Sequence, residues 1–424
     1  MFVIAGSLVG AAAHLWFSCA GTPRWRRCAR NAAGSLFTER FTKDLCSEGM
    51  RQKYRVPFPL LYFLRAVFAA PTFYDLPQGT MITSLSADGT HGSGAMGDAV
   101  FRWDEAAGAQ VQVVGHNATT VAGIPVLSAD GSVLAASMLV GPEHFDTVGG
   151  AWHGADVTVL VGGPLPGAIY GIAPDSSVCV GLAGDDVRAK CRAAVWNCDG
   201  SGGVTHNSTV DGMACRANVA ATRGALVGGW QDQPDGFRAG AVWDANGRQT
   251  MVVDGTGALV GEVLSMNAEG SVLTGGEEGW VKLPGAATVK ILRGTTDAFG
   301  ASADGALVGG GIGEGFGRLG FLWTATRGLE GLVSGLRARG VPLPANVTDE
   351  WLGAVTAVSA DGTVVGGWGM HPPPKAGPTA WVARLGEPHG APEPPRERAT
   401  PSQRRRPATK GRCVHEDRRL LRMC

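Results

Sequence analysis

The chain has 424 residues, including 65 glycines and 24 prolines, and 44% of its residues are hydrophobic. Glycine at this level without a Gly-X-Y period favours many tight turns between short strands, and the apolar fraction excludes general disorder. The formal net charge is zero, but the residues between two basic ends include 17 basic and 29 acidic side chains. Such an acidic body excludes a nucleic-acid groove, which needs clustered Lys and Arg.

We interpret residues 1–70 as a leader segment that resembles a signal peptide or a membrane anchor. An apolar stretch at 2–20 precedes several arginines, an arrangement that predicts a membrane anchor. A second candidate begins at Met50, where a basic segment (51–55) precedes an apolar one (56–70) with a small-residue cleavage site at 67–69. Two alternatives therefore stay open: translation starts at Met50, with 1–49 as an extension, or residues 2–20 anchor the protein in a membrane.

One phrase recurs seven times across the body of the chain. Its copies are SLSADGT (84–90), VLSADGSVLA (126–135), GIAPDSSVCVG (171–181), VAATRGALVGG (219–229), MNAEGSVLTGG (266–276), GASADGALVGG (300–310) and AVSADGTVVGG (357–367). The Asp positions of successive copies are 35 to 57 residues apart. A period near forty with regular turn signals predicts a β-propeller, one blade per copy.

Each copy translates into a four-stranded antiparallel blade. Asp-Gly between apolar runs is a hairpin turn, because glycine accepts the positive φ that such turns need. The Gly-Gly pair that follows lets backbones approach closely or ends the strand. A third strand then carries a tryptophan, which we expect to pack between blades. The seven tryptophans are Trp103, Trp152, Trp196, Trp243, Trp280, Trp323 and Trp381.

Cysteines cluster in the third and fourth units. Cys198 and Cys215 bracket a polar loop, so we expect one disulfide there and a second between Cys179 and Cys191 across a hairpin. The alternative is four reduced, buried thiols. Sequons at Asn117, Asn207 and Asn346 are candidate glycosylation sites and fit a secreted or cell-surface protein.

The final unit contains a helical spacing of leucines, which predicts a short helix near 329–340 packed on one rim. This unit lacks a fourth strand, whereas residues 73–76 form a strand with no blade ahead of them. We therefore expect 73–76 to pair antiparallel with 380–383 and to complete blade seven. The propeller then spans 71–386, and the basic, proline-rich segment 387–424 is predicted to be a disordered tail.

The repeat phrase resembles that of the HAF-type extracellular repeat family, built from L-P-x-G, S-A-D-G-x-V-V-x-G and A-F-x-W elements. The matching segments are LPQG (76–79), LPGA (165–168 and 283–286), GFLW (320–323) and the whole last unit. The resemblance covers about residues 73–386, although the tripeptide His-Ala-Phe does not occur. It implies an extracellular repeat scaffold and no established chemistry.

No catalytic, cofactor-binding or metal-binding constellation is visible. The repeated aspartates lack the neighbouring oxygen ligands of a calcium loop, so they read as turn-forming residues. We expect a monomeric, non-enzymatic scaffold whose partner is a protein or a carbohydrate. The alternative is a propeller enzyme acting on extracellular glycans, with loop carboxylates as candidates. Those carboxylates are Glu143, Asp146, Asp185 and Asp186.

Overall fold

The computed structural model describes residues 70–386, apart from 116–117, 120–122, 142–146, 155, 161–166, 185–190 and 372–376. The predicted leader up to residue 69 and the predicted tail lie outside the described residues. The described strands form seven antiparallel sheets arranged as the blades of a propeller. This confirms the predicted fold class. No helix in the described part of the chain is long and apolar enough to cross a membrane.

Strands are numbered in chain order, and in each blade they are given from the central channel outward. Blade 1 contains β2 (Thr80–Leu85), β3 (His91–Met96), β4 (Ala99–Asp104) and β5 (Val111–Gly115). Blade 2 contains β6 (Ala118–Thr119), β7 (Val126–Leu127), β8 (Val133–Leu139), β9 (Thr147–His153) and β10 (Asp156–Leu160). Blade 3 contains β11 (Gly167–Ile172), β12 (Val178–Ala183), β13 (Arg192–Asn197) and β14 (Gly203–His206).

The remaining blades follow the same order. Blade 4 contains β15 (Cys215–Ala220), β16 (Leu226–Asp232), β17 (Arg238–Asp244) and β18 (Gln249–Met251). Blade 5 contains β19 (Val263–Met266), β20 (Leu273–Gly275), β21 (Trp280–Lys282) and β22 (Lys290–Ile291). Blade 6 contains β23 (Asp297–Ala301), β24 (Val308–Ile312), β25 (Leu319–Thr324) and β26 (Gly328–Gly331). Blade 7 contains β27 (Ala354–Val358), β28 (Val364–His371), β29 (Gly377–Arg384) and, as its outermost strand, β1 (Thr72–Gln78).

The two ends of the described chain close the ring. Strand β1 pairs antiparallel with β29, with Phe73 opposite Ala383 and Asp75 opposite Trp381. This is the predicted pairing, and it supplies the fourth strand that the last repeat lacks. A two-pronged ion pair adds to the closure, because the Arg384 guanidinium contacts both carboxylate oxygens of Glu105 in blade 1 at 2.7 Å.

Two short helices lie between blades 6 and 7. They are α1 (Leu332–Ala338), which falls within the predicted 329–340 region, and α2 (Asp349–Leu352). Leu332 and Leu336 are fully buried against both blades. The Asp349 carboxylate accepts a hydrogen bond from the Val333 backbone N–H at 2.7 Å, which joins the start of α1 to α2.

The Ser-Ala-Asp-Gly phrase forms the turn between the two innermost strands of a blade. In blade 7, the buried Ser359 hydroxyl donates to the Asp361 carboxylate at 2.6 Å and accepts from the Val364 N–H at 2.9 Å. Gly362 supplies a φ of 70°. The same serine–aspartate pair recurs in blades 1, 2 and 6. The aspartates therefore act as turn-forming residues, as the sequence predicted.

These turns also bond to one another around the channel. In five of the seven junctions a backbone N–H of one turn donates to a backbone carbonyl of the next: Ala87 to Ala129, Ala129 to Pro174, Thr222 to Ala268, Ala303 to Ala360, and Asp361 to Ala87. Side chains bridge the other two junctions. The Asp175 carboxylate accepts a hydrogen bond from the Arg223 N–H, and the Asn267 amide donates one to the Ala303 carbonyl. The repeated phrase therefore closes each turn and also links the blades into a ring.

The turn aspartates make the fold sensitive to acid. Burial alone would raise the pKa of Asp130, Asp175 and Asp304, but hydrogen bonds from serine hydroxyls and backbone N–H groups outweigh it, and each pKa is lowered. These aspartates therefore contribute fully to the free energy of unfolding above about pH 4, the pKa of an aspartate in the unfolded chain. The contribution is lost as the pH falls through the lower pKa that they have in the folded state. We expect urea unfolding to require less denaturant at pH 3 than at pH 7. The pH dependence should shrink in Asp304→Asn, and an unchanged dependence would contradict this explanation.

The seven tryptophans of the repeat lie on the third strand of each blade and are 0–4% exposed. Each belongs to a different apolar cluster, and each cluster contains residues of two neighbouring blades. Trp196 of blade 3, for example, packs with Val133 and Leu160 of blade 2. One tryptophan therefore fills each of the seven junctions.

The cysteine pairing corrects the sequence prediction. The disulfide joins Cys179 to Cys198, with 5.5 Å between their Cα atoms, whereas Cys191 and Cys215 are buried free thiols. The reason is the antiparallel pairing of β12 with β13. Cys179 near the start of β12 lies beside Cys198 just after the end of β13, while Cys191 precedes β13 at the opposite end of the blade. Closing this loop should stabilise the fold by about 3 kcal/mol on the chain-entropy model.

We expect the two free thiols to be unreactive until the protein unfolds. Burial raises the pKa of Cys191, and it raises that of Cys215 to about 11, so little thiolate forms at neutral pH. Iodoacetamide at pH 8 should leave both unlabelled in the native protein and modify both in guanidinium. Peptide mapping without reduction should recover the Cys179–Cys198 pair. Native labelling at either thiol, or a Cys198–Cys215 peptide, would contradict this result.

Candidate binding site at the channel mouth

The innermost strands of the seven blades surround a central channel, a cavity of about 540 Å³. We call the end with the Ser-Ala-Asp-Gly turns the lower rim and the end where the innermost strands begin the upper rim. Near the lower rim the lining includes the alanines Ala87, Ala129, Ala303 and Ala360, together with Asn267 and Glu269. Towards the upper rim it includes Tyr170, Arg216, Asn218 and Phe299.

A β-bulge interrupts the innermost strand of six blades at the same place. The residue at this bulge lines the channel, and we call these six the bulge residues: Thr83, Tyr170, Asn218, Leu264, Phe299 and Thr356. In blade 2 the innermost strand is split, and Ile124 lines the channel there. The residue before the bulge is aliphatic in all six blades, whereas the bulge side chain ranges from threonine and asparagine to leucine, tyrosine and phenylalanine. The bulge is therefore the position at which the seven units create an asymmetric channel.

Three bulge residues fasten one blade to the next. The Thr356 hydroxyl donates to the Ile82 carbonyl at 2.6 Å, and the Asn218 amide donates to the Val263 carbonyl at 2.7 Å. Thr83 donates in the same way to the Pro125 carbonyl. At Tyr170, Leu264 and Phe299 the bulge side chain is apolar or aromatic instead. These three lie in blades 3, 5 and 6, and the polar Asn218 of blade 4 lies between the first two.

Arg216 is the central cation of the upper rim. Its guanidinium stacks on the Tyr170 ring at 3.9 Å from the ring centre and contacts Glu262 of blade 5 at 2.8 Å. It also donates to the Asn218 amide oxygen at 2.7 Å, while the Asn218 NH₂ group donates to Glu262 at 3.0 Å. The ring, the carboxylate and the amide together hold the guanidinium in one orientation.

A second pair of the same kind lies in blade 6. Arg318 contacts Asp297 at 2.6 Å, and its guanidinium lies 5.3 Å from the centre of the Phe299 ring. Burial raises the pKa of Asp297; the Arg318 charge opposes the shift, and the Glu262 charge adds to it. The two pairs are therefore electrostatically coupled across blades 5 and 6. We call Arg216, Glu262, Asp297 and Arg318, with the rings of Tyr170 and Phe299, the mouth cluster.

The hairpin between β20 and β21 is strained next to the mouth cluster. Glu277 and Glu278 have φ values of 52° and 75°, in the left-handed region that favours glycine. Each such residue costs about 1 kcal/mol or more, and strain of this kind persists where the surroundings hold it. Partial desolvation and the neighbouring Glu262 charge raise the pKa of Glu277. The turn thus presents an additional carboxylate at the upper rim.

The structure places the other sequence candidates away from the channel or outside the described residues. Asn207 and Asn346 are exposed, whereas Asn117 and the four loop carboxylates are not among the described residues. No group of three potential metal ligands among His, Cys, Asp and Glu lies together in the described ranges. The mouth cluster was missed from sequence. Aligning the units would have shown that the position three residues before the turn contains two aromatic residues, Tyr170 and Phe299.

No protein-family model matches the chain, and no curated protein matches it. Among solved structures, oligogalacturonate lyase from Vibrio parahaemolyticus is 10% identical, with 75% of this chain and 98% of that chain covered and a TM-score of 0.47. The β-propeller domain of the Trilobed protease from Pyrococcus furiosus is 9% identical over 75% of this chain and all of that domain, with a TM-score of 0.45. TolB from Acinetobacter baumannii is 14% identical with a TM-score of 0.40, and the match spans 58% of this chain and only 60% of TolB. At these identities and scores the likenesses carry no argument about activity.

Proposed function

We propose that this protein is a secreted or cell-surface repeat scaffold of the HAF-type extracellular repeat family, that it acts as a monomer, and that it binds its ligand at the upper rim without catalysing a reaction. The observation that carries the proposal is the distribution of variation among the repeats. Residues that recur in most of the units build the turns and the blade junctions. The six bulge residues vary in size and polarity and line one channel, and two of them, Tyr170 and Phe299, belong to the mouth cluster.

The geometry of the mouth cluster supports binding over catalysis. Its two carboxylates are each engaged by an arginine, at 2.8 Å for Glu262 and 2.6 Å for Asp297. Transferring a proton to either carboxylate would break its ion pair and leave a partly buried guanidinium without its partner. The Cys179–Cys198 disulfide supports an oxidising compartment outside the cytosol.

A propeller enzyme acting on extracellular glycans remains the second candidate, and the raised pKa of Asp297 favours it. Strongly perturbed carboxyl groups cluster at catalytic sites as well as in structural ion pairs. The two candidates differ in turnover. We expect the purified full chain to leave a panel of plant, fungal and bacterial polysaccharides unchanged in molecular mass over prolonged incubation.

Two variants make that test decisive. If any polysaccharide is cleaved, the assay is repeated with Asp297→Asn and Glu262→Gln, and folding is checked by circular dichroism and thermal unfolding. Cleavage that disappears in a folded variant would overturn the proposal and establish the enzyme. Cleavage that persists in both at the wild-type rate would exclude Asp297 and Glu262 as its source, and it would overturn the proposal if it co-purifies with the chain through a second chromatography step.

A further inference from the structure

The mouth cluster places hydrogen-bond donors and acceptors side by side. Arg216 offers N–H groups within 3 Å of the Glu262 oxygens and the Asn218 amide, and Arg318 does the same beside Asp297. A ligand that inserts between such pairs must itself donate and accept from neighbouring atoms. Adjacent hydroxyl groups do this, because each is both a donor and an acceptor.

The charge of the mouth cluster disfavours simple ions. Two guanidinium groups and two carboxylates face one another, so an anion would meet Glu262 or Asp297 and a cation would meet Arg216 or Arg318. The neighbouring Glu277 adds only one further negative charge. An ion that displaces one partner of a pair leaves the other charge partly buried and unpaired, whereas a neutral polyol can bond to the outer edges of the pairs and leave them intact.

Two aromatic rings flank the polar groups. Tyr170 in blade 3 and Phe299 in blade 6 are partly exposed and line the channel, and a guanidinium lies 3.9 Å and 5.3 Å from their ring centres. The ring face without the guanidinium can bury the C–H face of a ligand whose edges carry hydroxyls. This combination of an aromatic ring and a paired polar edge suits a sugar ring.

The depth of the channel limits how much of the ligand enters. The cavity of about 540 Å³ is in the size range of small-ligand pockets. Below the bulge residues the lining is mainly small or aliphatic, as at Ala87 and Ala303, with Ser265, Asn267 and Glu269 of blade 5 as polar exceptions. The mouth cluster lies above this part of the channel, so the end of a chain reaches its rings and ion pairs first.

We propose that the upper rim binds the terminal sugar of a neutral oligosaccharide, with Tyr170 and Phe299 as the stacking surfaces and the Arg216–Glu262 and Asp297–Arg318 pairs as partners of adjacent hydroxyls. This inference rests on the proposed binding function and narrows its ligand class. It names the neutral sugar as the ligand and the mouth cluster as the site.

The test is a glycan array probed with the full chain, followed by calorimetry with a neutral oligosaccharide that binds. We expect Tyr170→Ala and Phe299→Ala each to weaken binding about tenfold through the lost ring contact. Val204→Ala is the matched control, since Val204 is 59% exposed on the outer strand of blade 3. Because the ligand is uncharged, affinity should change less than about twofold between about 0.05 M and 0.5 M NaCl.

The outcomes separate this inference from the broader proposal. An array with no neutral glycan bound would overturn the inference, as would neutral-glycan binding that both aromatic variants retain at full affinity. If the array instead shows acidic glycans, or if a peptide library yields a ligand, and the same two variants abolish that binding, the ligand class is wrong and the binding function stands. If an aromatic variant melts early, Phe299→Tyr, which keeps the ring, should retain wild-type affinity.

Discussion

Deleting residues 71–79 will abolish cooperative folding of the propeller, although the deletion leaves all seven repeat phrases intact. The segment contains β1, which pairs with β29, and Leu76, which is 3% exposed in the cluster between blades 7 and 1. Tyr74 also packs on Trp103, with 5.5 Å between ring centres. Removing the strand leaves β29 as an open edge and separates the two blades that close the ring. Domain stabilities of about 5–15 kcal/mol cannot absorb a loss of this size.

The measurement is thermal unfolding followed by circular dichroism and by tryptophan fluorescence. Deleting residues 390–424, which follow the last strand of blade 7, is the matched control, and we expect its midpoint to equal that of the full chain. Leu76→Ala is the graded variant, with an expected loss of about 2–5 kcal/mol. A wild-type transition in the 71–79 deletion would contradict the role assigned to this closure.

Replacing Gly181 by alanine will destabilise the protein by about 3 kcal/mol or more. Gly181 lies on β12, where a Cβ would overlap the Ala168 carbonyl oxygen of β11. That carbonyl belongs to the residue two positions before the bulge at Tyr170. Five other blades repeat this contact, with the glycines Gly94, Gly229, Gly275, Gly310 and Gly367. The repeated glycine therefore exists because the bulge brings a carbonyl against the neighbouring strand.

Blade 2 supplies an internal check on this explanation. Its innermost strand is split instead of bulged, and the residue that corresponds to Gly181 is Ala136.

The matched control for Gly181→Ala is Gly255→Ala, because Gly255 has no atom within 4 Å of the added Cβ and no positive φ. We expect its free energy of unfolding to stay within about 0.5 kcal/mol of wild type. Urea unfolding measures both variants, and equal stabilities would refute the steric explanation.

The sequence by itself determined the architecture, because the features that build a blade are local and are repeated. The Asp-Gly turn, the glycine pair and the tryptophan recur at similar spacing, so the number of blades follows from the number of copies. The closure by residues 73–76 also followed from counting strands, because the last unit had only three strands and residues 73–76 formed a strand without a blade. The helix near 329–340 followed from the spacing of its leucines.

The tertiary structure alone decided the cysteine pairing and the mouth cluster. The polar loop between Cys198 and Cys215 favoured that pair, but strand direction places Cys198 beside Cys179. The mouth cluster joins Tyr170, Arg216, Glu262 and Asp297 from four different blades, which share no local pattern. They meet because a propeller brings the start of every innermost strand to one end of one channel. The repeated sequence determines the structure of each blade, whereas the closed ring determines which non-repeated residues of different blades lie next to one another.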